Sequence, residues 1–148
     1  MSSGPVSNEP YDNNNIFARI LRGELPCQKI YEDDDTLVIM DIMPRGTGHC
    51  LVLPKQPARN ILDCDDASLT AVAVTTGKIA RAVKKAFAAD GVTIQQFNEA
   101  AGGQEVFHLH VHVIARHDGI RLNPPGVMGK PEAIAENAEK IRAALARG

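Results

Sequence analysis

The 148-residue chain is poor in cysteine: Cys27, Cys50 and Cys64 are odd in number and have no paired spacing. That argues against a disulfide framework and fits a reducing cytoplasm. No long basic run occurs and the formal net charge is −2, so charge suggests no nucleic-acid partner. No apolar run approaches the roughly 18 residues of a membrane-spanning helix, and the N-terminus lacks a basic-then-apolar leader pattern. No internal repeat is visible. The expectation is a cytoplasmic chain of one domain without a membrane partner, whose 44% hydrophobic content suffices for a core.

What is present is concentrated in one stretch, Phe107-His108-Leu109-His110-Val111-His112-Val113-Ile114, with three of the five histidines. Branched apolar residues alternating with another type read as a strand with two unlike faces. Leu109, Val111 and Val113 would face the core, and His108, His110 and His112 the other side. Two strand residues advance roughly 6.6–6.8 Å, so the rings would form a ladder.

A lone strand histidine is usually a surface residue or a hydrogen-bonded core residue, but three in register out of five are hard to ascribe to chance. The stronger rival is a metal pair, because His-x-His is a common ligand set. The outer rings would lie about 13 Å apart on a strand, whereas zinc–nitrogen bonds are about 2.0–2.1 Å. One ion could hold two of the three at most. A catalytic ladder needs no ion: there the middle imidazole can act as nucleophile, with its neighbours fixing its tautomer and serving the leaving group.

His108 to Ile114 resembles the His-φ-His-φ-His-φ-φ signature (φ apolar) of the histidine triad family of nucleotide hydrolases and transferases, close to its Hint-like bacterial branch. The resemblance extends through Gly102-Gly103-Gln104, Asn98, His49-Cys50-Leu51-Val52-Leu53-Pro54-Lys55 and Asp41-Ile42, and so covers about residues 15–116. It implies an α+β fold and a homodimer, with about five antiparallel strands, one long helix and a C-terminal helix. It also implies roles. Asp41 accepts the ribose hydroxyls, with Ile42 beside it in the nucleotide site, and Ile16 and Phe17 line the base pocket. Asn98 and Gln104 contact the sugar and phosphate. His49 is a fourth histidine that orients the triad.

The rest of the chain divides into a mobile tail at 1–14, the main domain at 15–118, and a connector with a C-terminal helix at 119–148. The tail is polar with hardly an apolar residue. Asn15 to Arg22 reads as a short helix ended by Gly23 and Pro26. Strands follow at 29–32 and 36–42, around the solvated acidic turn Asp33-Asp34-Asp35, and another at 49–54, stopped by Pro54. Apolar residues at helical spacing from Asp66 to Ala89 mark the long helix, capped by Asp66 or Ser68. Lys78, Arg81, Lys84 and Lys85 form its wet face. Residues 91–98 should pair with the triad strand. Gly102 and Gly103 would let loop N–H groups approach a phosphate. His117 falls outside the alternation and reads as a surface residue. Pro131 opens a last helix to Ala146, whose modest stripe of Ile134, Ala138, Ile141 and Leu145 must lie on its own sheet or on a partner subunit.

Two departures from the family pattern stand out. Some members bind zinc through Cys-x-x-Cys near Ile16-Phe17 with two histidines, but here those positions are Asn15 and Ala18, so no metal and no cofactor is expected. Where Ser or Thr commonly follows the Gly-Gln pair, this chain has Glu105, which can still offer its backbone N–H. The expected mechanism is attack of His110 Nε2 on the α-phosphorus of a purine nucleoside phosphoramidate or polyphosphate. His108 and His49 would orient the nucleophile, His112 would contact phosphate, and N–H groups from Gly103 to Glu105 would stabilise phosphoryl oxygens. The alternatives are a nucleotide-binding regulatory dimer with little turnover, and a metal-dependent hydrolase using His110 and His112.

Overall fold

The computed structural model describes residues 10–148. Its strands are β1 (Lys29–Glu32), β2 (Thr36–Met40), β3 (Cys50–Pro54), β4 (Gly91–Gln95) and β5 (Val111–Arg116), and its helices α1 (Ile16–Leu21), α2 (Asp66–Ala86) and α3 (Pro131–Ala146). The strands form one antiparallel sheet in the order β1-β2-β3-β5-β4. This is the expected α+β architecture.

Local chemistry sets the helix ends. Asn15 accepts a hydrogen bond from the Ala18 N–H at 2.9 Å and starts α1. Gly23, at φ +78°, follows its end, a conformation that costs glycine little. Helix α2 is capped by Asp65, which accepts from the Ser68 N–H at 2.7 Å. The cap therefore sits one residue before the earlier of the two expected candidates. The helix also ends earlier than Ala89, since Ala88 turns to φ +46°.

The two faces of the sheet are buried differently. On one, Val38, Met40, Cys50, Val52, Val111, Val113 and Ala115 pack with α2 (Val72, Ile79, Ala82, Val83) and α3 (Ile134, Ala138, Ile141, Ala144). Burying a side chain such as Ile79 contributes about 1.5–3 kcal/mol. On the other face Leu37, Ile39, Leu51 and Leu53 meet Phe17 of the short α1. The stripe on α3 thus lies within its own fold: Ile134, Ala138 and Ile141 are buried together with Ala144, and Leu145 packs half-buried against the same core. Its Arg142 also donates to the Lys29 carbonyl at 2.8 Å.

One expectation about the central strand is corrected. Regular pairing starts at Val111, opposite Val52 of β3, and not at Phe107. Toward the N-terminus β3 ends at Pro54, and the Leu109 N–H turns to the Ala58 carbonyl at 2.8 Å. His108 and His110 consequently sit on irregular backbone just before the ladder. Of the expected tail, residues 1–9 lie outside the described residues. Residues 10–14 are placed, with Asp12 accepting from the Asn15 N–H. Among the described residues no helix is long and apolar enough to cross a membrane.

The turn between β2 and β3 is held from the far side. Gly48 has φ +67°, and a Cβ there would lie 2.2 Å from a carbon of the Phe87 ring at the end of α2. Only a residue without a side chain lets the turn approach the helix so closely.

Candidate active site

The structure brings His49, His108, His110 and His112 together, and neighbours with fixed roles dictate their tautomers. His110 Nδ1 lies 2.6 Å from the His108 backbone carbonyl. A carbonyl only accepts, so Nδ1 carries the proton and Nε2 keeps its lone pair. His108 Nε2 faces the Pro54 carbonyl at 2.9 Å and is likewise protonated, leaving Nδ1 as an acceptor. His49 Nδ1 receives the Arg45 backbone N–H at 3.0 Å, which puts the proton of His49 on Nε2. That Nε2 is 2.9 Å from His112 Nδ1, so His49 donates and His112 carries its proton on Nε2. The site therefore offers a bare nitrogen on His110 and an N–H on His112, with ring centroids 5.0 Å apart.

These contacts change two expected arrangements. His49 touches His112, not the middle histidine. His108 aims His110 through its backbone carbonyl, and its own ring is fully buried instead of standing in a ladder. Burial dominates the electrostatics. It lowers His110, and lowers His108 and His49 to about 4 and His112 to about 3. All four rings are neutral at pH 7. Asp41 lies 3.4 Å from His49 Nε2, and its carboxyl is raised by burial while accepting from the Met43 N–H at 2.8 Å. With neutral rings beside it, no cation offsets that desolvation.

The proposed nucleotide residues divide into two groups. Phe17 packs edge-on against His110, with centroids 4.8 Å apart, while Ile16 and Ile42 are exposed. Gly103, at φ +97°, lies against Phe97, where a Cβ would sit 3.3 Å from the ring. Phe97 in turn meets His112 at 5.6 Å, which puts the glycine loop beside the histidines. Glu105 is exposed. Gln104 is buried with its amide spent inside the loop: it accepts from Asn60 and the Glu99 N–H and donates to the carbonyls of Arg59 and Val106. It shapes the loop and does not face a ligand. Asn98 accepts from the Ile61 N–H and exchanges hydrogen bonds with Gln96.

Three comparisons with known proteins bear on this geometry. The family model described as HIT domain matches residues 22–119. The chain belongs to the HIT domain family. HIT proteins are nucleotide-binding proteins, hydrolases and transferases. A HIT-like protein involved in cell-cycle regulation from Bartonella henselae, solved with an unknown ligand, is 54% identical and superposes with a TM-score of 0.88, over 92% of this chain and 99% of that one. A zinc-bound histidine triad family protein from Mycobacterium smegmatis is 34% identical with a TM-score of 0.80, over 90% and 94%. Adenylylsulfatase HINT3 of Arabidopsis thaliana is 36% identical over 78% of this chain, which spans only 58% of that protein.

The zinc-bound relative raises the question of a metal in this HIT chain, and the residues present do not fit one. At the position of the cysteine pair, the Asn15 side chain is used in capping α1 and Ala18 is buried. Asp41, His49 and His112 do bring ligand atoms within 4.8 Å of one another. His49 Nε2 is protonated, however, as long as Nδ1 holds the Arg45 N–H, so it has no lone pair for a cation.

Sequence reasoning missed several residues of this HIT site. Arg59 pairs with Glu99 through two hydrogen bonds of 2.9 and 3.0 Å, and Asn60 adds a third at 2.6 Å. They hold Glu99 at φ +67°, ψ 162°, a conformation that strains a side-chain-bearing residue by about 1–3 kcal/mol. The partners lie about forty positions apart, so no local pattern signals them. Tyr11 falls in the stretch expected to be a mobile tail, yet its hydroxyl reaches His108 Nδ1 at 2.6 Å.

Proposed function

We propose that this HIT chain is a nucleotide hydrolase working through a covalent nucleotidyl-histidine. The observation that carries the reading is His110 Nδ1–H held on the His108 carbonyl, which leaves Nε2 neutral and bare. Its lone pair attacks the α-phosphorus; a leaving phosphate departs with the electrons of the broken P–O bond, and a leaving amine departs neutral, with the electrons of the broken P–N bond and a proton taken from solvent. The His110 ring becomes cationic in the adduct, and the same carbonyl stabilises that charge through Nδ1–H. His112 Nε2–H donates a hydrogen bond to a phosphoryl oxygen. A neutral imidazole is a poor acid, so its role is to bind charge and not to surrender the proton. N–H groups from Gly103 to Glu105 serve the same oxygens, Asp41 takes the ribose hydroxyls, and Ile16, Phe17 and Ile42 meet a purine. Water then cleaves the adduct.

Metal-assisted hydrolysis through His110 and His112 is disfavoured by the proton on His112 Nε2. We include in the proposal a cytoplasmic homodimer. The three cysteines are unpaired, and β4 is a sheet edge with Ile94 exposed. The test is turnover of an adenosine phosphoramidate, a diadenosine polyphosphate and adenylyl sulfate, each with and without chelator. It includes a denaturant quench at neutral or basic pH and peptide mapping. Chelator-insensitive turnover with adenylate on His110 is expected. Adenylate on His108 or His112 would overturn the mechanism. AMP binding without release of product from any of the three would favour the regulatory dimer.

A further inference from the structure

His108 is the most deeply buried ring of the site, and both of its nitrogens are spent on groups that are not substrate. One is the Pro54 carbonyl; the other is the Tyr11 hydroxyl. Since His108 Nε2 must donate to the carbonyl, Nδ1 holds the lone pair and Tyr11 must be the donor. The two rings also meet edge-on, with centroids 5.7 Å apart. Tyr11 is itself fastened. Beside it, the Asp12 carbonyl takes the Asn15 N–H and side-chain amide, and the Asn13 carbonyl takes the Arg22 guanidinium at 2.8 Å.

We propose that Tyr11 is a positioning residue: its hydroxyl locks the His108 ring, and the His108 backbone carbonyl in turn holds His110 with Nε2 forward. The consequence for turnover rests on the function proposed above, whereas the consequence for the histidine rings does not. A ring pinned at both nitrogens cannot swing about its side-chain bonds, so the backbone carrying its carbonyl is pinned as well. That carbonyl is the acceptor for His110 Nδ1–H at 2.6 Å. Without the hydroxyl, Nδ1 would be a buried acceptor with no partner, and the ring would tilt toward water or take a proton. The groups that face the pair are known. His110 and Asp63 act on the His108 charge, and Asn15, Arg22, Asp12 and Asp63 on the Tyr11 hydroxyl. Burial raises Tyr11, so it remains a protonated donor at neutral pH.

The signal that a sequence offers for this role is slight, a single tyrosine in a polar stretch four residues before a helix cap. The contact spans 97 positions.

The experiment is Tyr11→Phe, which removes one oxygen and keeps the ring contact, with Tyr31→Phe as a control distant from the histidines. Histidine ring nitrogens are followed by 15N NMR in labelled full-length protein. In the wild type, His108 Nδ1 should give the signal of a hydrogen-bonded acceptor and His110 a well-defined Nδ1–H proton. In Tyr11→Phe, His108 Nδ1 should move downfield, the His110 proton should shift or broaden, and Tyr31→Phe should change neither. On a substrate that the wild type turns over, kcat should fall about tenfold with little change in KM. The acid limb of kcat/KM should move to higher pH, because a donor to the neutral form of His108 has been lost. Unchanged His110 signals would overturn the proposal, whether or not His108 shifts, and so would unchanged kcat in an active enzyme. If the wild type turns over no substrate, the function proposed above fails, and the ring signals alone decide the role of Tyr11.

Discussion

The two faces of the sheet show how differently one strand set can be used. One face is covered by α2 and α3 over a continuous apolar core. Its order comes from shape and burial, and any apolar side chain of the right size and shape would serve. The other face has five buried apolar residues and a six-residue helix, and next to them the histidines. There the order comes from backbone groups with one permitted role each: the carbonyls of Pro54 and His108 and the N–H of Arg45. Stability is concentrated on the first face, and chemistry on the second.

Single substitutions can break that division. The largest effect should be His110→Ala, which lowers turnover by at least about a thousand-fold while leaving the thermal transition nearly in place. A comparable loss of stability would mean that the site face carries folding energy after all. Ile79→Ala, on the packed face, should do the reverse. It should cost about 2–5 kcal/mol in denaturant unfolding with normal turnover per folded molecule.

Acid sharpens the contrast. Folded His49 and His108 are held to about 4 and His112 to about 3, against about 6.5 in an unfolded chain. Between those values the unfolded state binds protons that the folded state refuses. Stability is therefore full above about pH 6.5 and falls as pH drops toward 3–4, by an amount on the order of a few kcal/mol. Urea titrations at pH 7.5 and 5 measure it, and equal stabilities would show that the rings are solvated. Asp41→Ala should act on binding alone, removing charge-assisted bonds of about 1.5–3 kcal/mol each from ribonucleotide affinity. An unchanged AMP affinity by calorimetry would remove Asp41 from the ribose site.

The packed face was legible in the sequence because burial leaves a period. Alternation marked the strands, three- and four-residue spacing marked α2, and Pro131 marked the start of α3. The motif brought three histidines into view, and the family resemblance it carries added His49. Their connections were hidden, because they run through backbone atoms that every residue possesses. Nothing about Pro54 or Arg45 as letters says that one accepts a hydrogen bond from His108 and the other donates one to His49. Gln104 misled for a related reason: an amide that lines a loop and one that faces a ligand have the same side chain. The strand boundary was missed by four residues because the partner strand, not the alternation, decides where pairing begins.

Gly48 has neither a side chain to react nor one to bind, and it stands against Phe87 at the end of α2. The turn it permits presents the Arg45 N–H that sets the tautomer of His49, and through it that of His112. In a saturation-mutagenesis map scored by activity alone, this position would be indistinguishable from a chemical residue. A reader of such a map would assign a role in the reaction to a missing methyl group.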